Sequence, residues 1–188
     1  MNDRSSVAVR LGTLLPLVLS FSTGLSAQSQ FVLDSNALGP IHACDLLSTV
    51  NRVFPQARDT VVHGEDDSRW SAKIVHFDRA DWVIFESSWI DTTHVWTIRT
   101  NSTRFHTRRG YAVGARIGDL IAKREHFTAE LAEGQLGLTL VSENVGVGID
   151  PQAAAKFPFD WPAGADATER LDADARITVL AAGRDCRH

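Results

Sequence analysis

Between residues 60 and 100 the chain divides into short β-rich runs separated by polar turns, and no other feature constrains the fold as much. Residues 60–63 precede the turn Gly64-Glu65-Asp66-Asp67, and residues 71–78 and 82–89 follow. The turn Ile90-Asp91-Thr92-Thr93 then leads into residues 94–100. Strand side chains alternate between faces. Ala72, Ile74 and His76 therefore share one face, and Lys73, Val75 and Phe77 the other. Runs this short, joined this tightly, pair with their chain neighbours as an antiparallel meander, because parallel pairing needs a crossover of a dozen residues or more. A second hairpin is written further on. Leu136, Leu138 and Leu140 alternate with Gly137 and Thr139, the turn Ser142-Glu143-Asn144 intervenes, and Val145, Val147 and Ile149 alternate with Gly146 and Gly148. Residues 176–180 read as a last strand.

Two segments carry helical spacing instead. From Ile41, the positions Cys44, Leu47, Val50 and Phe54 recur at helical intervals, with Pro40 tolerated in a first turn and Pro55 as a stop. The second segment follows the stretch Phe105 to Leu120, around which the chain is organised. Residues 103–107 should extend the sheet, Gly110 and Gly114 permit turn conformations, and Ile117, Leu120 and Ile121 open a helix running toward Phe127. Each helix precedes strands, Asp45-Leu46-Leu47 in the first case and Asp119-Leu120-Ile121 in the second. This order admits a degenerate tandem helix-plus-sheet repeat. The expected fold is α+β: an antiparallel meander with two helices packed on it, in one domain spanning residues 41–188. Residues 28–40 read as an extended leader. Residues 151–173, rich in Ala, Pro and Asp, form a loop long enough to be functional or disordered.

The first 27 residues read as a signal peptide. Arg4 and Arg10 precede a short apolar run interrupted by Gly12 and Pro16, and small residues lead to Leu25-Ser26-Ala27-Gln28. The apolar run is too short to span a bilayer, and no cysteine follows it to carry a lipid. The expected location is periplasmic or secreted, without a lipid anchor and not membrane-spanning. The chain has only two cysteines, Cys44 and Cys186, which in an oxidising compartment pair most simply with each other. A net charge of −4 gives no reason to expect nucleic acid as a partner.

The pattern Thr107-x-x-Gly110-Tyr111-x-Val113-Gly114, the helix opening Asp119-Leu120 and the later Val147-Gly148-Ile149-Asp150 resemble a group of uncharacterised exported bacterial proteins. In that group a strand ends in Thr-x-x-Gly-Ile-x-Val-Gly-Ser-Thr and passes into a helix. The arrangement also looks like the helix-plus-sheet units of the β-lactamase inhibitor protein and outer-membrane assembly lipoprotein folds. The resemblance covers residues 94–150 and implies a fold but no activity. Two departures stand out. Tyr111 replaces an aliphatic residue, and Arg116 stands where a threonine would cap the helix, which leaves Gly114 or Ala115 to start it.

Catalytic and cofactor motifs are absent. The seven histidines form no His-Glu-x-x-His or similar pair, and no metal or cofactor is expected. No Gly-x-Ser-x-Gly elbow exists, and the Val145-Gly146-Val147-Gly148 run is followed by Pro151 rather than a helix. Two features point to binding. Arg99, Arg104, Arg108, Arg109, Arg116, Lys123 and Arg124 lie close together with Asp119 as the only acid among them, a local reversal of sign. Trp70, Trp82, Trp89 and Trp96 lie on or near one meander, where alternation from 82 to 89 would send Trp82 and Trp89 to opposite faces, and Trp161 lies in the long loop. The leading expectation is an exported binding or inhibitory module that contacts a protein or an anionic envelope polymer. Its binding candidates are Arg108, Arg109, Tyr111, Arg116, Trp89 and Trp161. A hydrolase with a dispersed site and a purely structural envelope protein are the alternatives.

Overall fold

The structure, a computed structural model, describes residues 31–64, 67–132, 135–183 and 186. The signal peptide read at residues 1–27 lies outside the described residues. In chain order the elements are β1 (Val32–Asp34), β2 (Ala37–Leu38), β3 (Ile41–His42), α1 (Val50–Val53) behind a 3-10 turn at Leu47–Thr49, β4 (Arg58–His63), β5 (Arg69–His76), β6 (Trp82–Glu86) and β7 (Thr97–Thr100). There follow β8 (His106–Thr107), α2 (Ile117–Ala122), β9 (Phe127–Ala132), β10 (Gln135–Leu140), β11 (Val145–Ile149), α3 (Pro151–Ala154), β12 (Ala165–Asp166), a 3-10 turn at Thr168–Arg170, and β13 (Ile177–Gly183).

The fold is α+β but dominated by sheet. A nine-stranded sheet has the order β12-β9-β10-β11-β13-β7-β6-β5-β4, and every pairing in it is antiparallel. Two meanders, β4–β7 and β9–β11, are therefore joined by a strand that follows both in the chain. β13 pairs Leu180 with Thr100 of β7 on one side and with Val147 of β11 on the other. A second sheet, β3-β2-β1-β8, pairs β1 and β8 in parallel.

Alternation decides which face is buried. Val75, Val83, Phe85, Ile98, Leu180, Val147, Leu138, Leu140 and Phe127 belong to one core. Leu33 and Leu38 of the small sheet, Val50 of α1, and Ile117 and Leu120 of α2 close over it. A chain of phenylalanines links the two sheets, with ring centroids 6.0 Å apart for Phe31–Phe105, 5.6 Å for Phe105–Phe77, 6.4 Å for Phe77–Phe54 and 5.8 Å for Phe54–Phe85. Burying a phenylalanine fully contributes roughly 1.5–3 kcal/mol. Phe85, Phe105 and Phe127 are all fully buried.

Several expectations are corrected. The first helix does not run from Ile41, because residues 41–42 are strand. Cys44 has φ +75 and gives its N–H to the Val95 carbonyl at 2.7 Å, so no helix passes through it. Leu33, Ala37 and Leu38, in the stretch read as a leader, are core residues. The second helix stops at Ala122, and Phe127, Ala129 and Leu131 face the core by strand alternation. Residues 103–107 do not extend the meander. Only His106 and Thr107 are strand, and they pair with β1.

The start of α2 is also corrected. Its N-cap is Arg116, which makes no side-chain cap. The first N–H groups donate instead to loop carbonyls, Ile117 to Ala175 and Gly118 to Ala173, both at 2.9 Å. Backbone from residues 173–175 replaces the missing hydroxyl. Gly118 is needed for this approach, since a Cβ there would lie 2.8 Å from the Ala173 oxygen. The stretch 151–173, read as a loop, carries α3, β12 and the 3-10 turn Thr168–Arg170, so a one-turn helix does follow the Val145–Gly148 run. Asp150 caps α3 by accepting from the Ala153 N–H at 2.9 Å, and Thr168 Oγ1 accepts from the Phe127 N–H at 2.9 Å.

Candidate functional site

The turn after β8 forms because Gly110 takes φ +83, while Thr107 and Tyr111 bond across it (Thr107 N–H to the Tyr111 carbonyl, 2.8 Å). That geometry sends Tyr111 inward. Its hydroxyl donates to Glu125 Oε1 at 2.8 Å, the Ser142 hydroxyl donates to Glu125 Oε2, and the Arg109 guanidinium pairs with the same carboxylate. Arg109 also gives its backbone N–H to Glu143 at 2.9 Å, and the Lys123 ammonium lies 5.2 Å from the Tyr111 ring centroid. Glu125 is 1% exposed. Burial alone would raise its pKa, but the hydrogen bonds from Ser142 and Tyr111 and the charge of Arg109 outweigh it, and the net shift is downward. Burial, together with the bond to Glu125, pushes the Tyr111 phenol up. This is a buried anion with its full set of donors, a structural lock on the turn.

The other basic candidates are also compensated. Arg108 pairs with Asp34 at 2.7 Å, Arg116 with Asp174, Arg99 with Glu86, and Arg104 with Asp81 at 3.6 Å. The reversal of sign along the chain is thus largely cancelled in space. Glu125, the residue after the basic run ends, is the acid that takes up Arg109. Of the candidates, Arg109 and Tyr111 meet at Glu125, which also borders the cavity of Trp161. Arg108 and Arg109 line a smaller cavity of about 290 Å³ with Ser142 and Glu143, whereas Arg116 and Trp89 are placed elsewhere.

Trp89 is not a strand residue, because β6 ends at Glu86, so the alternation expected between Trp82 and Trp89 does not reach it. It is 70% exposed at the tip of a turn, with Ile90 beside it at 53%. The turn is tightly bonded. Ser88 N–H donates to the Asp91 carbonyl and Asp91 N–H to the Ser88 hydroxyl, each at 3.0 Å. Asp91 Oδ1 accepts from the Thr93 N–H at 2.9 Å and the Thr93 hydroxyl at 2.7 Å, while Oδ2 lies 2.7 Å from His94 Nδ1. The bonds from Thr93, with a lesser contribution from His94, hold the Asp91 pKa at about 2. Behind the turn, Leu47 N–H donates to the Thr93 carbonyl at 2.8 Å, and Cys44 is joined to Cys186, with Cα atoms 5.4 Å apart.

Trp161 borders a cavity of about 660 Å³ between the end of α2, the start of β9 and the segment 161–170. Its indole packs edge-on against Phe157 at 5.4 Å, and its N–H points to the Ala165 carbonyl at 3.5 Å. Arg124 and Arg170 line the same cavity, with His126 and Asp166 3.3 Å apart and Glu169 beside them. Arg124 owes its place to the end of α2. Glu125 N–H bonds the Leu120 carbonyl at 3.1 Å, and Arg124 N–H bonds Ile121 at 2.8 Å, the two bonds of a Schellman motif. The residue at its left-handed position, normally glycine, is Arg124 with φ +62. Sequence reading missed Arg124 as a distinct site residue and missed Arg170 and Glu125 altogether. The available signal was an arginine where the α2 pattern stops and a glycine would be expected.

Among the described residues no group of histidine, cysteine and acidic side chains is placed to hold a metal. No described helix is long and apolar enough to cross a membrane. No family model matches the chain, and no curated protein matches it. The fold is similar to the crystal structure of the uncharacterized protein YfeY from Escherichia coli, with a TM-score of 0.56 and 11% identity over 81% of this chain and 99% of that one. At that identity the likeness is one of fold alone.

Proposed function

We propose that the protein is an exported binding module, periplasmic or secreted, that contacts a protein partner through the Trp89–Ile90 turn. The observation that carries the reading is a tryptophan held 70% exposed on a turn whose backbone is fixed by Asp91 and Ser88. An exposed large aromatic on a pre-organised turn loses little conformational entropy on binding and buries much area, the combination found in interface hot spots. A disulfide whose two cysteines meet the Val95 carbonyl, beyond the turn, agrees with an oxidising compartment. An inhibitory role uses the same geometry, a rigid loop offered to a cleft. The order of α1 before β4–β7 and α2 before β9–β11 supports the tandem helix-plus-sheet reading and the resemblance to the inhibitor-type units.

The basic turn is the weaker candidate for contact, because Arg108, Arg109 and Arg116 already carry acidic partners. The hydrolase alternative has little support from Glu125, whose oxygens are already bonded to Tyr111, Ser142 and Arg109.

The test is affinity capture from native envelope extract with three baits: the mature protein, a Trp89→Ser/Ile90→Ser variant and an Arg108→Glu/Arg116→Glu variant. The reading expects a partner held by the first and third and lost by the second, with all three melting alike. A partner retained by the Trp89→Ser/Ile90→Ser bait removes the turn from the interface.

A further inference from the structure

The cavity beside Trp161 is independent of the Trp89 turn and differs from it in chemistry. Its volume, about 660 Å³, lies within the range of small-ligand sites. One wall is aromatic: Trp161 is half-buried and fixed against Phe157. The lining includes two arginines without ion pairs: within the basic run 99–124, Arg99, Arg104, Arg108, Arg109 and Arg116 all have acidic partners, and Arg124 has none among the described residues. Arg170 likewise has no ion pair among them.

The backbone supplies an observation independent of charge. A side chain at φ +62 is disfavoured relative to glycine, and helices ending in a Schellman motif place glycine there for that reason. Holding arginine at that position costs stability and sets a guanidinium at the cavity mouth. The polar lining also limits the ligand. Asp166 and Glu169 are acceptors that would oppose a compact polyanion but suit hydroxyl groups, and His126 adds a further hydrogen-bonding ring.

We propose that this cavity binds an acidic saccharide unit, with the sugar ring against the Trp161 indole, its carboxylate on the Arg124 and Arg170 guanidiniums, and its hydroxyls on Asp166 and Glu169. Aromatic faces meet the C–H surface of a sugar ring, and guanidinium matches carboxylate in a planar fork. The occupant is a uronate residue of an envelope polymer or a free uronate, and chain length distinguishes the two.

The experiment is a titration of isotope-labelled mature protein, followed at the Trp161 indole N–H and the Arg124 and Arg170 Nε–H resonances. The probes are glucuronate, a tetragalacturonate, glucose and acetate. The proposal expects saturable shifts at these resonances with both uronates and at least about tenfold weaker binding of glucose and acetate. Tighter binding of the tetramer assigns a polymer, and equal affinity per site assigns a free uronate. Trp161→Ala should abolish the saturable shifts at the Arg124 and Arg170 Nε–H resonances. Arg124→Gly relieves the backbone strain, so it should raise the melting temperature while weakening uronate binding at least about tenfold. Equal responses to glucose and glucuronate, no saturable shift with any probe, or unchanged affinity in Arg124→Gly would each overturn the proposal.

Discussion

Replacing Glu125 by glutamine preserves shape and removes the charge that Tyr111, Ser142 and Arg109 converge on. A hydrogen bond to a charged group contributes roughly 1.5–3 kcal/mol net, and a neutral one roughly 0.5–1.5. An amide oxygen and nitrogen cannot accept from all three donors, so at least one donor is left facing the new NH2 group. The Arg109 side chain is 52% exposed and can turn to water, which limits the loss on that side. The expected cost of Glu125→Gln is therefore about 2–4 kcal/mol, whereas Tyr111→Phe should cost about 1–2 kcal/mol. For a domain of this size, each kcal/mol lowers the melting temperature by about 2–4 °C. The assay is urea unfolding of the oxidised protein as a double-mutant cycle. Because the folded pKa of Glu125 lies below the ordinary value of 4.5, the stabilisation is fully present above that value and is lost as pH falls below it. The gap between wild type and Glu125→Gln should be flat above about pH 5 and narrow in acid. A cost under about 0.5 kcal/mol, or strict additivity with Tyr111→Phe, would refute the network.

The Trp89 turn should respond to acid in its own window. With the Asp91 pKa lowered to about 2, its contribution, about 1 kcal/mol after allowance for solvent exposure, is present above the ordinary 3.8 and lost as pH falls through about 2. Asp91→Asn should abolish that dependence, as read from melting temperature against pH. Gly118→Ala should destabilise by about 1–3 kcal/mol despite alanine's higher helix propensity, because its Cβ meets the Ala173 oxygen that receives the Gly118 N–H. A neutral or stabilising result by urea denaturation would show that residues 173–175 do not cap α2.

The parts of this fold legible in the sequence are those where burial enforces strict alternation. The hairpin β10–β11 and the strand β13 come directly from spaced Leu, Val and Ile, because one face of each packs on the core. The helices were over-read because tertiary hydrogen bonds override local spacing. Cys44 looks helical in the series Cys44, Leu47 and Val50, yet its N–H is committed to Val95 and its φ is positive. Phe127 fits either a continued helix or a new strand, and the Schellman turn at Arg124 decides for the strand. The sign of the charged surface was not legible, since Asp34 and Asp174 are far in sequence from Arg108 and Arg116, and Glu86 and Glu125 lie just outside the basic run that they meet. Trp161 was singled out for lying in a long loop, but its neighbours Arg124 and Arg170 are assembled only by the fold.

The position of β13 has a consequence for how the chain matures. A polypeptide that emerges N-terminus first presents β7 and β11 with open edges until residues 177–183 arrive to fill the space between them. Neither meander can finish its sheet during synthesis, and the pairing that completes it joins Leu180 to Thr100 across the whole β8–β12 segment. Such closure is slow by its contact order and leaves unsatisfied strand edges exposed meanwhile. Cys186 follows β13 in the chain, so the bond to Cys44, 142 residues away in sequence, closes last.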